Sequence, residues 1–184
     1  MAELMRSTYG ETVGAGALVL RAMADTTLPG VSYDSLARAV EVTGWNRERP
    51  FIDNTWQDLI STGNLGLLSS QLRQELRSFY SDLARQDRWA FEHDEYLLAY
   101  REATGHLIDA NHRLTLGESF LGQEGAVLEG DVDALRSRLR STPSLGGRLA
   151  DIILVNRGGE LTHEDLVLKT EEILRLLDAE LAAF

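Results

Sequence analysis

Along most of this chain apolar residues recur every three or four positions with polar residues between them, the spacing of a single buried stripe on a helix. The pattern is strongest from Ser69 or Ser70 onward, where Leu72, Leu76, Phe79, Tyr80, Leu83, Ala90, Phe91, Leu97, Tyr100, Ala103 and Leu107 follow in such steps. No proline interrupts the run before His112, and Gly105 is its only interior glycine. Forty helical residues would reach about 60 Å, long for a body of this size. The run therefore predicts one long helix or two nearly coaxial ones, with a bend or break at Arg85-Gln86-Asp87-Arg88 or an end projecting past the body. A second stripe, Leu166, Thr170, Ile173, Leu177 and Leu181, predicts a closing helix over about 163–183. Arg157-Gly158-Gly159 reads as the turn before it, with Thr162 and Asp165 at capping spacing.

The remaining elements are shorter. Residues 2–24 carry Leu4, Met5, Tyr9, Val13, Leu20 and Met23 at helical spacing, although Gly10, Gly14 and Gly16 each weaken a helix by about 1 kcal/mol relative to Ala. Small residues on one side let a neighbouring helix come close. Ser32 or Asp34 caps a helix through Val42 that Gly44 ends, and residues 45–50 cross to the next element. Asn54 or Thr55 opens a short helix, with Trp56, Leu59 and Ile60 inward, that Gly63 stops in a left-handed conformation. Residues 115–130 are glycine-rich and aperiodic and read as a loop. Asp131 or Asp133 caps a helix through Arg140, and Ser144 starts another to about Val155. Nothing alternates like a strand over more than four residues. These elements predict an all-α protein, an irregular helical bundle with one or two long helices and several short ones, and 184 residues predict one domain over 1–184.

Composition narrows the partners. The formal charge is −11, and of the 18 basic residues only Lys169 is a lysine. A chain this acidic is not expected to bind nucleic acid or anionic lipid. With no cysteine, thiolate chemistry and zinc–sulfur sites are excluded. The most apolar run, residues 13–20, is far short of the ~20 residues a bilayer crossing needs. Ala22-Met23-Ala24 imitates a leader-cleavage site, but Glu3, Glu11 and Arg21 break the pattern of a secretory leader.

One cluster has candidate chemistry: Glu92, His93, Asp94, Glu95, Glu102, His106, Asp109 and His112. On an uninterrupted helix Glu95, Glu102, His106 and Asp109 share one face, and imidazole with carboxylate oxygen suits a hard or borderline divalent metal. A di-metal bundle needs Glu-x-x-His on two helices, and Asp109-x-x-His112 is the nearest analogue, so these four are the candidate metal ligands and a solvated face explains them equally. No catalytic residue and no cofactor motif is identified: there is no Gly-x-Ser-x-Gly, and Gly146-Gly147 and Gly158-Gly159 lack the Lys and Ser/Thr of a phosphate loop. Arg136, Arg138, Arg140 and Arg148 form a local basic patch, read as a solvated face on which an anion or acidic partner could dock. Trp45, Trp56 and Trp89 are expected to anchor short helices on long ones.

A more specific pattern runs Asn54-Thr-Trp-Gln-Asp-Leu-Ile-Ser-Thr-Gly-Asn-Leu, then Leu67-Leu68, Leu72-Arg73 and Phe79-Tyr80. With the closing Leu-x-x-Lys-x-x-Glu-Ile-Leu-x-x-Leu-x-x-Glu-Leu of residues 166–181, it resembles a family of uncharacterised bacterial proteins, over about 51–83 and the last helix. The resemblance implies a soluble helical domain carried by an N-terminal membrane helix that this chain lacks, hence a cell-envelope location if an anchor was removed and a cytoplasmic one otherwise. It implies no catalytic residues. Its physical content is a helix–turn–helix corner made by Trp56, Leu59, Gly63 and Phe79-Tyr80. The functional expectation is a non-catalytic domain for protein contact, self-association or small-ligand sensing. The alternatives are a metal-binding bundle using Glu95, Glu102, His106 and Asp109, and an acidic adaptor or inhibitor that binds a basic protein.

Overall fold

The structure, a computed structural model, describes residues 2–25, 28–45, 54–120 and 126–182. The crossing at 46–53 and the segment 121–125 lie outside these. Among the described residues there are seven α-helices: α1 Ala2–Ala24, α2 Tyr33–Thr43, α3 Asn54–Ser61, α4 Ser70–Thr104, α5 Ala110–Phe120, α6 Val132–Ser141 and α7 Leu145–Leu181, with a 3-10 turn at Asn64–Leu67. No strand occurs among the described residues, and the all-α expectation holds.

Several predicted boundaries are found. Ser32 caps α2, its hydroxyl accepting from Ser35 N, and Gly44 ends the helix. Asp131 caps α6 by accepting from Asp133 N and Ala134 N. Gly63 is left-handed at φ +73°, and Trp56 of α3 stacks on Tyr80 of α4 with ring centroids 4.5 Å apart, so the corner exists, but Ile60, expected inward, is exposed and no residue of α3 is buried. Asp34, the other candidate cap of α2, instead accepts from Arg38 Nε and from Leu128 N, tying the extended stretch after α5 to α2.

Other boundaries are corrected. α4 continues as helix through Arg85–Arg88 without a break and stops at Thr104, with Gly105 in the cap position, well short of His112. Residues 110–120, mostly read as loop, are helix α5: Asp109 Oδ1 accepts from Asn111 N and starts it, and its Leu116 is buried in the main core. The largest correction is α7. Gly158-Gly159 is no turn; one helix of 37 residues, about 55 Å, starts after Ser144 as predicted and runs through both predicted segments. Thr162, expected to cap a new helix, bonds back to Gly158 O one turn earlier, as an interior Thr does.

α4 and α7 lie antiparallel along their whole length. Ser69 N donates to Glu180, Lys169 bonds Asp82 and Ser78, Asn156 meets His93, and Arg148 bonds Ala99 O. The buried residues of α7 (Leu145, Leu149, Ile152, Asn156, Gly159, Leu166, Ile173) advance in steps of four, three and seven, a coiled-coil seam. Leu83, Gln86, His93, Leu97, Tyr100 and Thr104 do the same on α4, with Leu72 eleven residues before Leu83. α1 lies antiparallel on the first half of α7, with Tyr9 against Gly159 and Gly16 against Ile153. The main core, around Leu36, Val40, Tyr100, Leu135, Leu145 and Ile152, fills the end where α1, α2, α5 and α6 surround the pair. At the other end a small second core holds only Leu72, Ile173 and Leu176 fully inside, with Leu68, Leu76, Phe79 and Leu177 around them.

Candidate functional site

The four candidate metal ligands do not share a face. Glu95 and Glu102 are exposed on α4, His106 stands in the turn after it, and Asp109 caps α5. The premise of one helix across them fails because the helix ends at Thr104. Among the described residues no three His, Asp or Glu side chains converge in a group that could hold a metal. The wider cluster is dispersed as well. His93 turns into the α4–α7 seam, Glu92 and Asp94 are exposed, and His112 Nδ1 pairs with the Tyr33 hydroxyl at 3.1 Å.

The predicted basic patch is mostly consumed inside the fold. Arg136 is buried and donates to Leu28 O at 2.8 Å, and Arg140 spreads over Ala22 O, Met23 O and Asp25 O at the end of α1. Arg148 bonds Ala99 O on α4, and Arg138 Nε donates to Ala134 O, one turn back in α6. The same use recurs elsewhere: Arg101 donates to Gly44 O at the end of α2, and Arg113 to Gly105 O after α4. A helix C-terminus presents carbonyls with no partner and partial negative charge, and a planar guanidinium can bridge several at once.

A shallow cavity of about 220 Å³ opens beside Val40, Glu41, Gly44, Tyr100, Arg101 and Arg113. It is smaller than the ~300–1,000 Å³ of ordinary ligand pockets. Its charges already satisfy one another: Arg113 Nε is 2.8 Å from Glu41, and Arg101 holds the Gly44 carbonyl. The Tyr100 hydroxyl donates to Val40 O, and burial pushes that phenol far above its ordinary pKa.

Midway along the seam the packing turns polar. Asn156 Nδ2 lies 3.0 Å from His93 Nε2, and Gln86 Nε2 donates to the Tyr9 hydroxyl at 3.3 Å. Gln86 Oε1, His93 Nδ1 and both ring nitrogens of His163 are buried with no hydrogen-bond partner among the described residues. Burial disfavours the imidazolium of His93, against a weaker opposing pull from Asp94, and holds its pKa below the ordinary 6.5. A polar pair buried in an otherwise apolar seam favours the register that keeps its two members together. His163, expected beside a helix start, sits instead in the middle of α7.

The outer faces of the hairpin carry the more unusual feature. Phe91 and Leu98 on α4, seven residues apart, are 70% and 60% exposed. On α7 Leu154, Leu161 and Leu168, again seven apart, are 67%, 66% and 63% exposed. The α7 row lies opposite the seam, each leucine being two or five residues from the nearest buried seam positions. Scattered exposed leucines are ordinary; rows at a constant heptad interval on both partners of a helical hairpin are not. Phe91, expected in the buried stripe of α4, faces outward instead, and the turn expected at Gly158 would have divided Leu154 from Leu161.

In comparisons with known proteins, no family model, no curated protein and no solved structure matches this chain. No helix among the described residues is long and apolar enough to cross a membrane.

Proposed function

We propose that this chain is a non-catalytic protein-interaction module whose docking element is the α4–α7 hairpin. The observation that supports this is the pair of heptad-spaced apolar rows, Phe91–Leu98 and Leu154–Leu161–Leu168, at 60–70% exposure on helices whose opposite faces are committed to the seam. The only cavity described above is small and internally neutralised, so recognition by surface fits this molecule better than recognition by enclosure. In this reading the buried seam sets the spacing of the rows and the main core anchors one end of the hairpin. The resemblance over residues 51–83 and the last helix would add a membrane tether upstream, which fractionation of cells expressing the gene from its own locus tests: salt-resistant sedimentation with membranes is expected, and a fully soluble product removes the tether.

The interaction reading is tested with a photo-crosslinking amino acid placed in the native host at Leu98 or Leu161, and at the exposed polar positions Glu95 and Arg175 for comparison. Discrete adducts of constant mass from Leu98 or Leu161, absent from the polar positions, are expected. No adduct from either apolar row, or the same adducts from every position, would overturn it.

A further inference from the structure

Resting on the interaction reading, we propose that the outer row of α7, Leu154, Leu161 and Leu168 with the indole of Trp89 beside it, docks a basic amphipathic helix of another protein. Each seven-residue step is about 10.5 Å, so the row runs some 21 Å along the axis and drifts only about 20° per heptad. A helix laid at the shallow crossing angle of paired helices meets all three leucines with apolar residues of its own at heptad spacing. Gly158 stands four residues after Leu154 and three before Leu161, between them on the same face. Its missing side chain lets Trp89 lie across α7, where an added Cβ would stand 2.7 Å from Cζ3, and Trp89 remains 40% exposed. The indole thus widens the row at its middle.

Charge selects among occupants. The helical neighbours of the three leucines, three and four residues away, are Ala150, Asp151, Arg157, Gly158, Glu164, Asp165, Glu171 and Glu172. Five are carboxylates and one is a guanidinium, in a chain of net charge −11, and of the five Glu172 is already paired with Arg175. A second copy on the same row would bring these acids against themselves, and an anionic membrane would meet the same repulsion. A helix whose apolar stripe is flanked by Lys and Arg meets leucine with apolar contact and carboxylate with cation.

The test uses fluorescence anisotropy with labelled 18-residue peptides on the full chain: a Leu/Lys amphipathic helix with leucines at heptad spacing, a Leu/Glu helix of the same pattern, and a scrambled Leu/Lys sequence. The Leu/Lys helix is expected to bind in the micromolar range and to weaken severalfold between 50 and 300 mM salt. Leu161→Gln and Leu161→Lys should each weaken it at least tenfold with helicity unchanged, because the side chain is two-thirds exposed, while Glu95→Gln on α4 leaves it unaltered. Equal binding of the Leu/Glu or scrambled peptide, or no effect of the Leu161 variants, overturns the proposal. A concentration-dependent dimer that Leu161→Lys dissolves, with no peptide binding, overturns the basic-helix occupant in favour of a second copy and leaves the interaction reading standing. No peptide binding together with no crosslinks from Leu98 or Leu161 overturns both.

Discussion

An added Cβ on Gly159 would stand 2.9 Å from Cε1 of Tyr9, a ring that is itself buried, while Gly14 on α1 has nothing within 4 Å. The two positions therefore invert the usual advice about glycine in helices. Gly14→Ala gains helix propensity, about 0.5–1 kcal/mol, at no steric cost. Gly159→Ala gains the same but forces Tyr9 off its place, an overpacking cost of about 1–3 kcal/mol. Urea unfolding should show Gly14→Ala more stable than the parent and Gly159→Ala less stable; a stabilised Gly159→Ala would mean Tyr9 is not held there. The pair also explains why residues 157–159 read as a turn. Gly-Gly is the strongest local signal for breaking a helix, and what overrides it, two aromatic rings arriving from α1 and α4, comes from residues about 150 and 70 positions away in sequence. Buried His93 yields a second residue-scale prediction. Its folded pKa lies below the ordinary 6.5, so the unfolded chain takes up a proton the folded chain resists, and stability falls as pH drops through about 6.5. The slope from this group is at most about 1.4 kcal/mol per pH unit. His93→Gln should flatten unfolding free energy between pH 7 and 5 relative to the parent; an unchanged slope would show that His93 titrates freely in the fold.

At the scale of elements, what the sequence made legible was whatever is decided locally. Ser32, Gly44, Gly63 and Asp131 act through backbone groups within three residues of themselves, and each was found where its chemistry places it. The end of α4 is decided at a distance, whereas α1 stops at Ala24, where its own pattern places it. α1 ends at Ala24 with Arg140 of α6 covering its last carbonyls, and the carbonyl of Gly105, just past α4, accepts from Arg113 of α5. The arginines of residues 136–148 looked like a solvated patch because nothing in their own neighbourhood shows the carbonyls they serve. Arg140→Ala should lower stability by about 1–3 kcal/mol, the range for hydrogen bonds to a charged group, and speed amide exchange in the last turn of α1. Arg140→Lys should recover only part of the loss, since an ammonium cannot span three carbonyls as a guanidinium does. Full recovery by Lys would make the contribution one of charge alone. The candidate metal face failed for a related reason. The periodicity through Leu107 does not reveal that the helix stops at Thr104, and that stop separates Glu95 and Glu102 from His106 and Asp109.

The whole molecule is anchored unevenly, and that asymmetry bears on how the hairpin works. Around Tyr100, Leu145 and Ile152 the two long helices are enclosed by α1, α2 and α6 and share one large core. Toward Leu72 and Leu176 they have chiefly each other, with a small core and the bond between Lys169 and Asp82 beside it. Opening free energy scales with the apolar surface a segment buries, so the far arm should open well before the rest. Amides of residues 72–83 and 166–176 are expected to exchange through sub-global opening at least tenfold faster than those of residues 97–100 and 149–152, a difference of about 1.4 kcal/mol or more. Leu72→Ala removes a fully buried side chain from the small core and should accelerate exchange in the arm while barely changing it near Tyr100. Uniform exchange along both helices, or equal acceleration everywhere in Leu72→Ala, would show instead that the hairpin opens only with the whole fold. Leu168 lies at the edge of the arm and Leu154 opposite the large core, so a partner that engages the full row must hold the arm closed. Addition of the Leu/Lys helix should therefore slow exchange at residues 166–176 more than at 149–152, which ties occupancy of the row to the stability of the least anchored part of the molecule.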